Sequence, residues 1–440
     1  MSTESPWRVR DFRTLFTATV LSNLAVNVGQ VTIPLLAVLA LDASPGEVGV
    51  LVTLMTLAFL VIGLPAGAWV DRMRHRRVLI TAELTRAGLL ASVPLAWWLD
   101  ALTMGQLYAV VLLNGCATLF FDVASQSVLP GMVGREALVR ANASVVSLQA
   151  AGQIAGRGAG GGMVQLLTAP VAAVSLGILH LASALRLMSL RRTTPAPPER
   201  TVGLGAQIGE GVRHVLGNPE LRALALAGAL TNLGTQLINT LLPVLFVREL
   251  GLSAGVLGLY WAVGGIGIFL GARCARAFAA RLGYGPAIVA TGLCAAPAAL
   301  LIPPLDRGGW LCLAGAGWLL ITFRIGVDNV LSVTLRQRQT PDPLLGRMNA
   351  TFRFMLTGAT AVGSALAGLI GELSGVRTAL WAGAGILALA CLPALFSPIR
   401  TRWEPPPPPP PPTQAPAQAP GAGARGREAA RPADAAESSA

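Results

Sequence analysis

The chain has 440 residues, of which 53% are hydrophobic and only 12% are charged, and its mean hydropathy is +0.61. This composition excludes an ordinary soluble domain and predicts a membrane protein that crosses the bilayer many times. All 33 basic residues are arginine, and the net charge is +12. Because these arginines lie between apolar segments, they indicate membrane topology and argue against nucleic-acid binding.

Apolar windows of about 20 residues predict twelve transmembrane helices. The predicted spans are 14–40, 47–70, 77–99, 105–130, 142–167, 170–190, 222–246, 254–279, 285–304, 309–335, 350–373 and 377–398. Arginines are frequent in the loops on one side of this bundle and rare on the other. The arginine-rich side, with both termini, is therefore predicted to be cytoplasmic.

The order of the spans predicts four regions. Residues 1–190 form a first six-helix bundle, and residues 222–398 form a second. Between them, 191–221 is predicted to be a cytoplasmic linker that contains an amphipathic helix from Ile208 to Val215. The last region, 399–440, contains eight consecutive prolines and is predicted to be a disordered cytoplasmic tail.

A short charged segment, Gly67–Arg77, separates the second and third spans. It contains four arginines within residues 72–77 and one acid, Asp71. Charge at this density between two apolar spans must lie at a membrane surface, and arginine indicates the cytoplasmic surface.

The charged segment has a second copy. With a shift of 204 residues, Gly67, Arg72 and Arg77 fall on Gly271, Arg276 and Arg281. Asp71 falls on Ala275, so the second copy lacks the acid.

The first span also has a copy, which is the seventh span. With a shift of 209 residues, Asn23, Asn27, Gln30 and Pro34 fall on Asn232, Gln236, Asn239 and Pro243. Similar matches at nearly one offset indicate duplication of a six-helix unit. Two units of the same orientation predict a pseudo-two-fold axis along the membrane normal, with a substrate path between them.

The segment Gly67–Arg77 resembles the signature between helices 2 and 3 of the major facilitator superfamily. The segments 129–143 and 335–350 resemble a bacterial branch of that family, which contains enterobactin-type and macrolide-type exporters. The resemblance covers residues 8–398. It implies an all-α integral membrane fold of twelve helices in two pseudo-symmetric six-helix bundles, and transport by alternating access. One departure is Arg157, which stands within Gly152–Gly162 where antiporters of the family carry proline in helix 5.

Six amide side chains form two stripes on the first and seventh spans. The stripes have i, i+4, i+7 spacing, so each occupies one helix face. They consist of Asn23, Asn27 and Gln30, and of Asn232, Gln236 and Asn239. Two roles fit amides in an apolar span: lining a wet substrate path, or forming hydrogen bonds between packed helices.

Charged residues inside the spans each cost roughly 2.5–3.5 kcal/mol on insertion scales, so each needs a partner or a function. They are Glu83, Arg86, Asp122, Arg157, Arg186, Arg324, Asp328 and Arg353. Glu83/Arg86 and Arg324/Asp328 are spaced to pair within one helix. The acids Asp122, Asp328 and Glu83 are candidates for proton coupling.

Two of these charges have alternative roles. Asp122 lies about 12 Å of helix rise before Pro130, within reach of Arg76 and Arg77, so it is either part of a conformational latch or a proton carrier. Arg157 either binds an anionic group of the substrate or pairs with a carboxylate of a neighbouring helix.

The predicted cytoplasmic latch consists of Gly67, Asp71, Arg72, Arg76, Arg77 and Asp122. Asp71 can interact with the partial positive charge at the N-terminus of span 11. The arginines can pair with Asp122 or with carbonyl groups at a helix C-terminus. Such contacts join the two bundles only when the cytoplasmic side is closed.

The sequence contains no nucleotide-binding, metal-binding or nucleophile motif, so we expect neither an enzyme nor a cofactor, and an ion gradient as the energy source. The predicted function is proton-coupled efflux of a small amphipathic compound, such as a drug, siderophore or secondary metabolite, by a monomer in the plasma membrane. The alternatives are a nutrient importer or facilitator, and a receptor with the same fold that transports nothing.

Overall fold

The computed structural model describes residues 6–190 and 204–401, which are almost entirely helical. The predicted tail and the first part of the linker lie outside the described residues. Within the described part of the chain, α-helices α1 to α13 comprise Arg10–Ala40, Pro45–Asp71, His75–Trp98, Met104–Leu167, Ala169–Met188, Leu204–Gly217, Pro219–Val244, Ala254–Leu282, Tyr284–Ala299, Gly309–Arg338, Leu345–Ser374, Val376–Leu389 and Leu392–Leu395.

The helices confirm the predicted all-α membrane fold. Within the described ranges, ten helical stretches are long and apolar enough to span a membrane, and α9 is a shorter apolar helix. Each of the twelve predicted spans falls on a helix. The predicted amphipathic helix of the linker is α6, Leu204–Gly217, and it packs against α7 and α11.

Helix α4 differs from the prediction, because one helical assignment, Met104–Leu167, covers the two spans predicted at 105–130 and 142–167. A straight helix of this length would extend about 95 Å. Residues 114–122 and residue 157 nevertheless line one cavity. The chain therefore reverses direction between them.

The neighbours of α4 show the two directions. Its first part follows α2, since the Tyr108 hydroxyl donates to the Glu47 carbonyl and the Phe120 ring stacks on Trp69 further along. Its last part follows α1, since Gly152 lies against Asn23 and Gly160 against Val28. As α1 and α2 are joined by a short turn, the two parts of α4 run in opposite directions and form two passes.

The helices form two groups. In the first, α1 and α3 pack against α4 and α5, and α2 packs against α4. In the second, α7 packs against α11 and α12, and α10 packs against α8 and α9. The main contacts between the groups are α2 with α11 and α4 with α8.

The groups approach each other most closely near the end of the bundle that holds the turn between α1 and α2, here called the distal end. A Cβ atom on Gly49 of α2 would lie 2.3 Å from the Gly368 Cα atom of α11, and one on Gly161 of α4 would lie 2.7 Å from the Gly258 Cα atom of α8. Only glycine permits such crossings. The opposite end, which holds the start of α1 and residues 72–74, is here called the proximal end.

Polar contacts also join the groups at the distal end. The Glu372 carboxylate at the end of α11 accepts a hydrogen bond from the Gly46 amide in the first turn of α2, at 2.9 Å. Arg248 Nη2 lies 2.6 Å from Asp42 Oδ1. A carboxylate at a helix N-terminus is favourable, because the free amide groups there carry partial positive charge.

Candidate functional site

A cavity of about 460 Å³ lies between the two helix groups. Apolar side chains such as Met55, Phe59 and Trp261 form part of its wall. Its polar lining comes from both groups and includes Gln30, Arg86, Asn114, Asp122, Arg157, His180, Gln236, Asn239, Thr240 and Thr360. A largely apolar wall with a few convergent polar groups is typical of a site for a small organic molecule.

Three of the six predicted amides line this cavity. They are Gln30, Gln236 and Asn239. Asn239 Oδ1 accepts a hydrogen bond of 2.8 Å from the Trp261 indole, which fixes the orientation of both side chains. These three amides line the cavity, and their role in a substrate path stays a prediction.

The other three amides do not line the cavity. Asn27 Nδ2 donates to the Asn23 backbone carbonyl at 2.9 Å and to Asn23 Oδ1 at 3.0 Å. Asn232 Nδ2 donates to the Gly228 carbonyl at 2.9 Å, and Thr360 of α11 donates to Asn232 Oδ1 at 3.4 Å. Asn232 thus makes a hydrogen bond between packed helices, whereas Asn23 and Asn27 bond to each other within α1.

The glycine-rich part of α4 explains why Asn23 and Asn27 are withdrawn from the cavity. A Cβ on Gly152 would lie 1.9 Å from Asn23 Oδ1, and one on Gly156 would lie 2.5 Å from Asn27 Cβ. These glycines let α4 pack directly over the first two amides of the stripe. Gln30, one turn further along, remains open to the cavity.

Arg157 projects from the same glycine-rich segment into the cavity. Its Nη2 donates to Gln30 Oε1 at 3.1 Å. Among the ion pairs of the described residues, none involves Arg157. The predicted carboxylate partner on a neighbouring helix is therefore not found among the described residues. The guanidinium group lies at the cavity, where it can contact a bound anion.

Asp122 also lies on the cavity wall. Its nearest opposite charges are Arg86 and Arg353, which attract its carboxylate. The prediction placed Asp122 within reach of Arg76 and Arg77. In this structure Arg76 instead donates to the carbonyl groups of Leu190, at 2.8 Å, and Met188, at 2.6 Å.

Among the remaining latch residues, the structure describes the side chains of Arg72, Arg76 and Arg77. The contacts of Arg76 with the end of α5 are of the predicted type, a guanidinium bound to carbonyl groups at a helix C-terminus, but they lie within one helix group. Arg72 and Arg77 are exposed. The predicted contacts of Gly67 and the Asp71 side chain lie outside the described residues.

Beside the cavity is a buried polar cluster, defined as Ser22, Glu83, Arg86 and His180, of which Arg86 and His180 also line the cavity. Glu83 Oε1 lies 2.8 Å from Arg86 Nη1 and accepts from the Ser22 hydroxyl at 2.9 Å. Glu83 Oε2 lies 2.9 Å from His180 Nδ1. Glu83 and Arg86 are fully buried, so each charge depends on the other.

The sequence predicted the Glu83/Arg86 pair from its spacing but not the contribution of Ser22 and His180, which are distant in the chain. The second predicted pair also forms, with Arg324 Nε 3.3 Å from Asp328 Oδ2. Asp328 does not line the cavity.

The fold and the cavity define a multi-pass helical membrane protein with a central site between two halves, which is the architecture of a secondary transporter. The sequence model of the Major Facilitator Superfamily matches residues 15–335, and the chain belongs to this family of transporters.

Curated relatives support this assignment to a transporter family. The chain is 27% identical over 402 residues to the enterobactin exporter EntS of Salmonella choleraesuis strain SC-B67, covering 90% of this chain and 94% of the relative. It is 27% identical over 387 residues to EntS of Escherichia coli O81, covering 87% and 90%.

Two solved transporters share the fold. The nucleoside transporter NupG matches with a TM-score of 0.73 at 13% identity, covering 88% of this chain and 99% of NupG. A bacterial homologue of ferroportin in an inward-facing state matches with a TM-score of 0.72 at 14% identity, covering 89% and 99%. At such identities the likeness concerns the fold alone.

Proposed function

We propose that the protein exports a small, amphipathic, anionic compound of the siderophore or secondary-metabolite class. The observation that carries this proposal is the cavity between the helix groups, into which Arg157 projects with an amide as its only hydrogen-bond partner in the described residues. The similarity to enterobactin exporters supports the direction and the substrate class. A guanidinium group suits catecholate or carboxylate oxygens, because it presents several donors in a planar fork.

The proposed cycle is alternating access, with the distal end facing the outside and the proximal end, with both termini, facing the cytoplasm. Residues 1–190 and 222–398 are the proposed moving halves, 191–221 is the linker and 399–440 is a cytoplasmic tail. The closed distal end then corresponds to a state that receives substrate from the cytoplasm. In the opposite state, Asp71, Arg72 and Arg77 are available to close the proximal end as a latch.

Asp122 is the proposed proton carrier. It shares the cavity with Arg157, and protonation would change its attraction to Arg86 and Arg353, whereas Glu83 is held by three buried partners and Asp328 is paired outside the cavity. An acid on the cavity wall exchanges protons with whichever side is open, as coupling requires.

We expect Asp122→Asn to reduce proton-driven transport at least about tenfold while leaving gradient-independent exchange of substrate intact, since the variant cannot release a proton. The measurement is uptake of a radiolabelled catecholate siderophore into inverted membrane vesicles, with and without an uncoupler. Asp100→Asn, an exposed position outside the cavity, is the matched control and should transport normally.

Three results would overturn parts of this proposal. Uptake by the unmodified protein that persists with the uncoupler would exclude proton coupling. Accumulation of the probe by whole cells would favour an importer. Saturable binding without any movement across the bilayer would favour a receptor.

Arg157→Gln is expected to raise the KM for an anionic catecholate by about 10- to 100-fold, because a hydrogen bond to a charged group contributes about 1.5–3 kcal/mol. Transport of a neutral amphipathic competitor should change less than about threefold. Arg222→Gln, which removes an exposed arginine outside the cavity, is the control. Equal losses for anionic and neutral compounds would show that Arg157 only maintains the packing of α4.

A further inference from the structure

A second cavity, of about 370 Å³, lies at the proximal end of the first helix group, apart from the central cavity. The side chains that line it are Trp7, Arg10, Arg13, Thr17 and Arg186. Three arginines and no acidic residue line this space, so the pocket carries a net positive charge. We call it the arginine pocket.

The three arginines have no acidic partner among the described residues. Arg186 Nε donates to the Thr17 hydroxyl at 3.1 Å, which fixes the guanidinium group against α1. Asp11 lies in the same turn as Arg10, but it neither lines the pocket nor pairs with these arginines. Three neighbouring cations repel one another, so a bound anion with several oxygen atoms would be stabilised by all three.

Trp7 indicates the depth of the pocket in the membrane. Its ring packs edge-on against Phe12, with centroids 5.4 Å apart, and against Phe16, with centroids 4.8 Å apart. Trp7 is nevertheless 45% exposed. A fixed but exposed tryptophan at the end of a span is typical of the level of the lipid headgroups.

An apolar surface leads from the pocket towards the middle of the membrane. Ile178, Leu181 and Leu185 of α5 are 60%, 45% and 57% exposed, and their spacing places them on one face of the helix. Leu185 directly precedes Arg186 in the last turn of α5, at the pocket's end of the helix. A phospholipid would match both features at once, with its phosphate in the arginine pocket and an acyl chain along α5, whereas a free phosphate would use only the pocket.

We propose that the arginine pocket binds the headgroup of an anionic phospholipid, whose acyl chain lies on Ile178, Leu181 and Leu185. Basic pockets between transmembrane helices at a cytoplasmic surface are known to hold such headgroups. The proposal depends on the chain spanning a membrane and not on what it transports or in which direction.

The test is binding of dioleoylphosphatidylglycerol to the detergent-purified full chain, measured by native mass spectrometry and by thermal stabilisation. Dioleoylphosphatidylcholine and inorganic phosphate serve as comparison probes. We expect phosphatidylglycerol to bind at least about tenfold more tightly than phosphatidylcholine, and the triple variant Arg10→Gln, Arg13→Gln, Arg186→Gln to lose this preference. If the triple variant does not fold, Arg186→Gln alone is expected to weaken binding about threefold or more.

The matched control removes three exposed arginines at the same end of the second helix group, Arg213→Gln, Arg222→Gln and Arg281→Gln. It should bind phosphatidylglycerol as the unmodified protein does. An equal loss in the control would show that general positive charge, and not the pocket, attracts the lipid. Equal stabilisation by inorganic phosphate, or no preference for phosphatidylglycerol over phosphatidylcholine, would also overturn the proposal.

Discussion

Glu83→Ala is expected to destabilise the protein by about 3–5 kcal/mol, because it leaves the Arg86 guanidinium buried without a counter-ion. The side chains of Glu83 and Arg86 are both 0% exposed, so water cannot replace the lost carboxylate. The Ser22 hydroxyl and His180 would also lose their shared acceptor. The measurement is the apparent free energy of unfolding in a denaturant titration of the purified protein in mixed micelles.

Two comparison variants separate charge burial from a general effect of removing an acid. Glu210→Ala breaks a partly exposed ion pair with Arg347 and should cost less than about 1 kcal/mol. The double variant Glu83→Leu, Arg86→Leu removes both charges and should recover most of the lost stability. A double variant as unstable as Glu83→Ala would show that packing, and not the unpaired charge, dominates.

Gly49→Ala is expected to reduce transport at least about tenfold by preventing closure of the distal end. The new Cβ would lie 2.3 Å from the Gly368 Cα atom and 2.8 Å from its amide nitrogen, so α2 and α11 must separate. Because no flexible side chain is present to move aside, the clash is between backbones. The conformation closed at the distal end should therefore lose population in favour of one that is open there.

The readout is labelling of a cysteine at Thr360, which lines the central cavity, in a variant without the native cysteines. A membrane-impermeant maleimide added from the distal side should react faster in the Gly49→Ala protein. Gly63→Ala is the matched control, since it lies on the same helix and a Cβ there meets nothing within 4 Å. Unchanged labelling together with normal transport in Gly49→Ala would disprove the role of this crossing.

The fold was largely predictable from the sequence, because long apolar windows and arginine-rich turns are local signals. The two predicted passes of α4 are both present, and one helix range, Met104–Leu167, covers them. The internal repeat selected six amides, of which Gln30, Gln236 and Asn239 line the cavity. It could not separate them from Asn23 and Asn27, because that difference depends on where Gly152 and Gly156 bring α4 against α1.

The buried polar cluster also shows that local sequence patterns do not reveal contacts between distant residues. The pairing of Glu83 with Arg86 follows from a spacing of three residues, whereas His180 lies 97 residues from Glu83 and reaches it only through the packing of α3 on α5. The residues that line the arginine pocket likewise come from positions far apart in the sequence, residues 7–17 and Arg186. No local pattern encodes such distant contacts.

The glycine crossings at the distal end have a consequence for how easily the protein changes conformation. Where Gly49 meets Gly368 and Gly161 meets Gly258, backbone touches backbone, and no long side chain is immobilised in the contact. Closing these two crossings therefore freezes few side-chain rotamers. A carrier that must return to its starting conformation in every cycle benefits from such contacts, because they re-form without ordering long side chains again.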